Sequence, residues 1–174
     1  IMYTMKTRHV YLGRFAPFHL GHKILLDKII GLAGADQALV LIGSSNTLNS
    51  RTPYTFEVRK KIIRCSYPNI EVLPLPDGKP NLMYFDGSTN DIWLDSIEKL
   101  AKLRNEKFVF YGGSKEDLEI LAERFETIVL VDRKSEGKGL SATKVREALV
   151  NNNYLELEGL VDNKVMDLII NNYK

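Results

Sequence analysis

The chain has 174 residues, 44% of them apolar, and its 24 Lys and Arg residues almost balance its 22 Asp and Glu residues. This size suits one globular domain with a single core, while a net charge of +2 lacks the basic excess of most nucleic-acid-binding proteins. No apolar run approaches the roughly 20 residues of a membrane span. We therefore expect a cytoplasmic protein without nucleic-acid or membrane partners, whose single cysteine, Cys65, is a buried structural thiol beside apolar neighbours.

Short β-branched runs alternate with amphipathic stretches along the chain. The predicted strands are His9–Leu12, Ala38–Ile42, Ile70–Leu75, Lys107–Tyr111 and Thr127–Val131. The predicted helices are Gly21–Ala33, Thr55–Ser66, Asp91–Leu103, Lys115–Phe125, Ser141–Asn151 and Asp162–Asn172. Because this alternation favours parallel strands joined by right-handed crossovers, we expect an α/β fold: a doubly wound parallel sheet with helices on both faces and C-terminal helices.

Two irregular segments are rich in Gly, Ser, Asn, Pro and Asp: Gly43–Tyr54 and Pro74–Asn90. The first follows a predicted strand, and the second begins at the last two residues of one. Ligands of open α/β sheets bind outside the carboxyl ends of the strands. The segments are therefore either the rim of a binding site or plain connections. The longer one exceeds the usual loop length of compact domains, which favours a site.

The segment from Gly13 to His22 reads Gly-Arg-Phe-Ala-Pro-Phe-His-Leu-Gly-His and joins the first strand to the first helix. Gly13 permits a tight turn, and Gly21 leaves room for a phosphate chain beside the backbone. The spacing of His19 and His22 puts both imidazoles on one face of the helix start, where N–H groups attract anions. The pattern fits neither a zinc protease, a P-loop nor a dinucleotide fingerprint. It leaves a polyphosphate site or two structural histidines as the alternatives.

A second polar segment, Ser141-Ala142-Thr143-Lys144-Val145-Arg146, follows about 120 residues later. Ser141 is a predicted N-cap, and Thr143, Lys144 and Arg146 lie in the first turns of the helix. Backbone N–H groups, hydroxyls and two cations then converge on one helix N-terminus, which suits β- and γ-phosphates. Taken alone, the segment could also be an ordinary capped helix with exposed basic residues.

Together the two segments resemble the HxGH and SxTxxR signatures of the nucleotidylyltransferase superfamily. The resemblance implies one Rossmann-like domain over residues 1–174 with a helical tail from about 152 to 174. It also implies in-line attack of an acceptor phosphate on the α-phosphorus of a nucleoside triphosphate, with release of pyrophosphate. The residues it assigns to catalysis are Arg14, His19, His22 and Arg146. Those it assigns to ATP and its phosphates are Gly13, Phe15, Gly21, Gly112, Ser141, Thr143 and Lys144. Mg²⁺ would arrive with ATP, bound through phosphates rather than through protein ligands.

Four further stretches resemble the archaeal-type nicotinamide mononucleotide (NMN) adenylyltransferases and the adenylyltransferase half of bifunctional enzymes that carry a Nudix hydrolase. These stretches are Gly13–His19, Ile42–Asn46 together with Arg51–Arg59, Asn90–Trp93 and Gly112–Asp117. The resemblance assigns binding of the acceptor, NMN, to Ser44, Arg59, Asn90, Asp91 and Trp93. Trp93 would stack on the nicotinamide ring or else pack in the core with Ile92 and Ile97. Arg59 would contact a phosphate or else lie on a solvated helix face.

The resemblance predicts an enzyme that transfers AMP from ATP to NMN and so makes NAD, with small-molecule partners and with homo-oligomerisation left open. Another nucleotidylyltransferase, of the cytidylyltransferase or pantetheine-phosphate adenylyltransferase type, is the alternative. Gly137–Thr143 departs from the Arg-Thr-x-Gly-Ile-Ser-Thr pattern of cytidylyltransferases. A non-catalytic nucleotide-binding module is disfavoured because the reactive residues are intact. The length after Asn151 leads us to expect no Nudix hydrolase.

Two loops carry expectations of their own. The loop Asp77–Thr89 should shape the acceptor pocket. The segment Asp132–Lys138 is charged and contains a glycine, so it is predicted to be a solvated loop, although its position before Ser141 would let Arg133 or Lys138 close over the triphosphate.

Overall fold

A computed structural model describes residues 4–77, 88–112, 115–130 and 139–173. Five strands are present: β1 Lys6–Gly13, β2 Ala38–Gly43, β3 Glu71–Leu75, β4 Glu106–Tyr111 and β5 Glu126–Ile128. The α-helices are α1 Leu20–Ala33, α2 Phe56–Ser66, α3 Ser88–Arg104, α4 Lys115–Leu121, α5 Ala142–Val150, α6 Tyr154–Glu158 and α7 Met166–Asn171, with a 3-10 turn at Asn163–Val165. Within these ranges, no helix is both long and apolar enough to cross a bilayer.

The five strands form one parallel sheet in the order β3-β2-β1-β4-β5. The central strand β1 pairs with β2 and with β4, so that Tyr11 stands beside both Val40 and Tyr111. The chain moves outward from β1 to β3 and then returns to β4 on the other side of β1. The switch point of the topology therefore lies between the carboxyl ends of β1 and β4, and the predicted doubly wound sheet is confirmed.

Both faces of the sheet are covered, which explains why β2 is apolar almost throughout rather than alternating. On one face, Leu26 of α1, Ile62 of α2 and Val145 of α5 belong to a core that includes the C-terminal helices. On the other face, a second core contains Leu94 of α3 and Leu121 of α4. Helices α1, α3 and α4 thus pack against the strands that precede or follow them.

The C-terminal helices contact the start of α1 and the loop before α2 directly. The backbone N–H of Leu20, the first residue of α1, donates to the carbonyl of Leu160 at 2.9 Å. The hydroxyl of Tyr54 donates to the carbonyl of Ile169 at 2.6 Å. Because these bonds join the C-terminal part to segments on either side of β2, that part helps to fix where α1 begins.

Several expectations about boundaries and burial differ from the structure. Helix α4 ends at Leu121 rather than Phe125, and the predicted helix Asp162–Asn172 is a 3-10 turn followed by α7. The expectation that Cys65 is buried was wrong, because this residue is exposed. Helix α2 buries Ile62 and Ile63, and a residue two positions after Ile63 lies about 200° around the helix, on the solvent side.

A network of two arginines and two glutamates lies at the amino-terminal edge of the sheet. Arg8 of β1 is buried and donates to Glu71 at 2.6 Å and to Glu106 at 2.7 Å. Arg104 at the end of α3 also bonds both carboxylates. Burial alone would raise the pKa of Glu71, but the hydrogen bonds from Arg8 and Arg104 hold it below its ordinary value. The network neutralises charges that the strand ends would otherwise bury unpaired.

Candidate active site

The residue that follows β4 packs closely against β1 and α1. Gly112 follows β4 with φ +68°, and a Cβ added there would lie 2.5 Å from side-chain atoms of Leu25 and of Tyr11. Only glycine fits this position, both because of its backbone conformation and because of the space available. The residue predicted to bind phosphate therefore has a packing role that keeps β4 against α1 at the switch point.

The loop between β1 and α1 folds over an aromatic side chain. Phe15 is buried, has φ +49°, and packs its ring edge to face against Tyr11 and His22, with ring centroids 4.9 Å apart in each case. A Cβ added to Gly13 would lie 3.0 Å from the Phe15 ring. The contacts of Phe15 are thus those of a packing residue beneath the histidines, while its neighbour Arg14 is exposed.

The two histidines cap the start of α1 in a reciprocal arrangement. Nδ1 of His19 accepts from the backbone N–H of Gly21 at 3.0 Å, and Nδ1 of His22 accepts from the backbone N–H of His19 at 3.1 Å. Their rings stack with centroids 3.7 Å apart. A ring nitrogen that accepts carries no proton, so in each neutral imidazole the proton sits on Nε2. The predicted pair on one face therefore consists of two Nε2–H donors with a fixed tautomer.

Gly21 is required for this arrangement. A Cβ at residue 21 would lie 2.7 Å from Cε1 and 3.0 Å from Nδ1 of His19, and 3.3 Å from Cβ of Leu140. Leu140 directly precedes the second polar segment. The same glycine thus leaves room for the capping ring and lets the two polar segments approach each other.

The second segment forms the start of α5 as predicted, with Ser141 as its N-cap. The Ser141 hydroxyl accepts from the backbone N–H of Lys144 at 3.1 Å, and Nζ of Lys144 lies back over Gly139. Arg146 donates through Nη2 to the Thr143 hydroxyl at 3.3 Å and through Nη1 to the carbonyl of Ala16 at 3.2 Å. Arg146 therefore joins α5 to the loop that carries the histidines, across 130 positions of sequence.

Two other arginines lie close enough to Arg146 for their positive charges to repel it. Burial lowers the pKa of Arg146, and the positive charges of Arg14 and Arg51 lower it further. Arg51, in the loop between β2 and α2, was not among the predicted site residues. Its neighbour Ser50 lines a pocket of about 270 Å³ together with Thr143 and Arg146. Arg51 begins the stretch Arg51–Arg59 that resembles NMN adenylyltransferases, but its effect on Arg146 arises only when the loop after β2 meets α5.

The side chain of Arg59 is held by contacts with backbone carbonyls. It is fully buried, so the alternative of a solvated helix face is wrong. Its guanidinium donates to the backbone carbonyls of Arg14, Gly43 and Ser44 at 3.1, 3.0 and 2.9 Å. Burial lowers its pKa to about 10, against the opposing charge of Asp77, so it is protonated at neutral pH. Ser44 itself has φ +48° and is partly buried at the end of β2.

The remaining predicted acceptor residues lie at the start of α3 and contact other parts of the molecule. Trp93 is half-buried and packs against the second core, which also contains Ile97, whereas Ile92 is exposed. The core-packing alternative is therefore wrong for Ile92, while Trp93 and Ile97 belong to the same apolar cluster. Asp91 accepts a hydrogen bond from Arg124 at 3.2 Å on the protein surface, and Asn90 is exposed.

Several predicted features fall outside the described residues. They are most of the loop Asp77–Thr89, the segment Asp132–Lys138 with Arg133 and Lys138, and the Gly113 and Ser114 part of Gly112–Asp117. Asp77 is described, and its backbone exchanges two hydrogen bonds with the Asn46 side chain, at 2.9 and 3.1 Å. This contact joins the loop after β2 to the chain beyond β3.

Known proteins resemble this chain in sequence and in fold. The family model Cytidylyltransferase-like matches residues 10–148. A nicotinamide-nucleotide adenylyltransferase of Methanococcus maripaludis is 26% identical over 167 residues, which cover 93% of this chain and 88% of that enzyme. One of the same name from Saccharolobus solfataricus is 35% identical over 79 residues, 41% of this chain and 45% of that enzyme. The match thus spans about half the length of that relative.

A crystal structure of a bifunctional NMN adenylyltransferase/ADP ribose pyrophosphatase from Francisella tularensis, complexed with AMP and a Mn ion, has a similar fold. The TM-score is 0.58 at 24% identity, and the match covers 95% of this chain and 52% of the other. This likeness supports the Rossmann-like architecture. Since the family model matches most of the chain, including both polar segments, the protein belongs to the Cytidylyltransferase-like family.

Proposed function

We propose that the protein is a nicotinamide-nucleotide adenylyltransferase, which transfers AMP from ATP to NMN and releases pyrophosphate. One observation carries the adenylyl-transfer part of this proposal: Arg146 of α5 bonds the carbonyl of Ala16 in the loop that presents His19 and His22. Two imidazole N–H donors and an arginine therefore act on one ligand. Such a set of fixed donors suits a phosphate group that gains charge during a reaction.

The reaction needs no covalent bond to the protein. An oxygen of the NMN phosphate attacks the α-phosphorus of ATP, in line with the bond to the oxygen that bridges to the β-phosphate. The new P–O bond joins AMP and NMN as NAD. The old P–O bond breaks, and its electron pair leaves with pyrophosphate. Catalysis then depends on holding the two substrates in line and on stabilising negative charge.

Each described residue of the site has a role in this step. The Nε2–H groups of His19 and His22 donate to oxygens of the α-phosphate and the bridging position, where charge develops. Arg14, Arg51 and Arg146 neutralise the triphosphate and the departing pyrophosphate. Lys144 and the N-terminus of α5 stabilise its outer phosphates. The repulsion of Arg146 by Arg14 and Arg51 favours the bound state, since an anion relieves it.

A divalent cation fits this site only as part of the nucleotide. Among the described residues, no three His, Cys, Asp or Glu side chains come together in a way that could hold a metal ion. The groups that converge on the site are cationic or N–H donors, which attract phosphates and not cations. We therefore propose that Mg²⁺ enters bound to ATP and shields its phosphate charge, with phosphate oxygens and water as ligands.

The choice of NMN as acceptor rests on the names of the curated relatives and on the stretches that resemble NMN adenylyltransferases. Trp93, which the resemblance assigns to stacking, is only half-buried. Ser44, which directly follows β2, has its carbonyl held by Arg59. These two residues define the acceptor side of the proposed site.

A pyrophosphate-release assay tests the proposal by pairing ATP or CTP with four acceptors: NMN, nicotinic acid mononucleotide, phosphopantetheine and glycerol phosphate. NAD and pyrophosphate from ATP and NMN are the expected products. Release with CTP alone would assign the protein to the cytidylyltransferase type. Release with ATP and phosphopantetheine alone would assign it to the pantetheine type, and absence of release with every pair would favour a nucleotide-binding module.

A further inference from the structure

Arg59 is a buried cation whose guanidinium is committed to backbone oxygens. It lies in the first turns of α2 and is 0% exposed. Nη1 donates to the carbonyls of Arg14 and Gly43, Nη2 donates to that of Ser44, and Nε donates to that of Thr55 at 3.4 Å. A buried charge is costly unless hydrogen bonds compensate it. These hydrogen bonds therefore restrict the conformation of the backbone segments to which the carbonyls belong.

Three of these carbonyls, those of Arg14, Gly43 and Ser44, come from the two turns that leave β1 and β2 at the edge where the site lies. Each turn contains a residue in the left-handed region: Phe15 with φ +49° and Ser44 with φ +48°. Such values are sterically unfavourable for residues with a Cβ and persist only where the surroundings enforce them. The peptide bond between Arg14 and Phe15 and both peptide bonds of Ser44 have their carbonyls held by Arg59.

We propose that Arg59 is a positioning residue, which fixes the turns after β1 and β2 and thereby aims Arg14 and Ser44 at the substrates. A peptide group is planar, so a bond to the Arg14 carbonyl fixes the rotation on both sides of it. The direction of the exposed Arg14 side chain then depends on Arg59, although Arg59 itself touches no substrate. This inference rests on the proposed function only in taking ATP as the ligand of Arg14.

The geometry requires arginine at this position. A guanidinium presents five N–H donors in one plane, which lets Arg59 bond four carbonyls from three segments at once. A lysine ammonium has the same charge but only three donors on a single atom. Arg59→Lys therefore keeps the charge and loosens the turns. Arg59→Gln removes the buried charge and keeps a donor, so it tests the same idea if the lysine variant does not fold.

Helix α2 also offers a matched control. Arg64 lies one turn further along, and it too donates to a backbone carbonyl, that of Ile70, at 3.0 and 3.2 Å. That carbonyl precedes β3 at the opposite edge of the sheet. Arg64→Lys makes the same chemical change in the same helix without altering the turns after β1 and β2.

A double-mutant cycle on binding of ATP with Mg²⁺, measured by titration calorimetry, tests the inference. We expect Arg59→Lys to weaken ATP binding about tenfold in the wild type and less than about twofold in an Arg14→Ala background, since groups that act through one another are not additive. Arg64→Lys should change the affinity less than about twofold. For transfer to NMN, Arg59→Lys should raise the KM for ATP and lower kcat, whereas partial unfolding lowers apparent kcat and leaves KM unchanged.

The outcomes separate the two proposals. Equal effects of Arg59→Lys with and without Arg14, repeated with Arg59→Gln, would overturn the positioning role while leaving the adenylyltransferase intact. A wild type that binds ATP but forms no NAD would contradict the proposed function, and the binding cycle would still decide the role of Arg59. A wild type that binds no ATP would contradict both.

Discussion

Two backbone N–H groups determine the chemical state of the histidines. The amides of His19 and Gly21 donate to Nδ1 of His22 and of His19, so both rings keep their proton on Nε2. A donor that is already oriented needs no rearrangement during the reaction. In the proposed transfer, the histidines act through hydrogen bonds to phosphate oxygens, and neither is required as a base.

Removal of one such donor should reduce turnover more than binding. We expect His22→Ala to lower kcat for NAD formation by about 10²–10³-fold with a modest change in KM, the usual loss for one transition-state donor. Steady-state pyrophosphate release measures this effect. His9→Ala, which removes a histidine bonded to Tyr111 outside this segment, is the control and should retain kcat within about threefold. Near-normal turnover of His22→Ala would remove this residue from the chemistry.

Two glycines of α1 give a matched pair of substitutions. Gly21→Ala would place a methyl group 2.7 Å from Cε1 of His19, so we expect the ring to move and kcat to fall about 10–100-fold. A Cβ at Gly31 meets nothing within 4 Å, and Gly31→Ala should raise the free energy of unfolding by about 0.5–1 kcal/mol without loss of activity. Equal activity of the two variants would contradict the tight fit at residue 21.

The main helices and strands can be predicted from the sequence, whereas the contacts between them can be predicted only in part. Five β-branched runs alternating with amphipathic stretches predict the parallel sheet because each crossover must return to the same edge. Ser141 was correctly predicted as an N-cap because capping is local. Arg59 and Cys65 were misjudged because the buried side of α2 depends on what the sheet and the loops present to it. Arg51 was missed because it meets Arg146 only in the folded chain.

The loop after β2 and helix α5 bring the positive charges of Arg51 and Arg146 close together. The variant Arg51→Gln tests the effect of this proximity. We expect this variant to melt about 1–3 °C higher without ligand, since one repulsion is removed, worth less than ~1 kcal/mol. It should also bind ATP about tenfold more weakly, since one charge-assisted hydrogen bond is lost. Lys61→Gln, an exposed charge on α2, controls for net charge. A lower melting temperature with unchanged ATP affinity would contradict the cluster.

At the scale of the whole molecule, the two ends of the sheet differ in how their arginines are paired. At the amino-terminal edge, Arg8 and Arg104 are matched by Glu71 and Glu106. At the carboxyl edge, the charges of Arg14 and Arg51 repel that of Arg146. The net charge of +2 conceals this separation. The paired edge stabilises the fold without a ligand, while the anion of the proposed reaction would relieve the repulsion at the other edge.

The paired edge predicts a pH dependence of stability. Because the folded pKa of Glu71 is lowered, its charge stabilises the fold above the unfolded pKa of about 4.3, and this contribution is lost as pH falls through the folded value. Glu71→Gln should therefore cost about 1 kcal/mol at pH 7, a modest figure because the side chain is 38% exposed. Urea titrations should show the difference from wild type shrinking between about pH 5 and 3.

Glu126→Gln, at an exposed pair with Lys107, is the control for this titration and should differ little from wild type at either pH. A difference for Glu71→Gln that stays constant from pH 7 to 3 would show that the network does not depend on the Glu71 charge.

The most direct measurement of the central claim follows NAD and pyrophosphate together when the wild type and His22→Ala are each given ATP, Mg²⁺ and NMN. If both polar segments form one adenylyl-transfer site, the wild type releases NAD and pyrophosphate in equal amounts. His22→Ala then does so at least about a hundredfold more slowly. Pyrophosphate without NAD, no product from the wild type, or equal rates for the two proteins would contradict it.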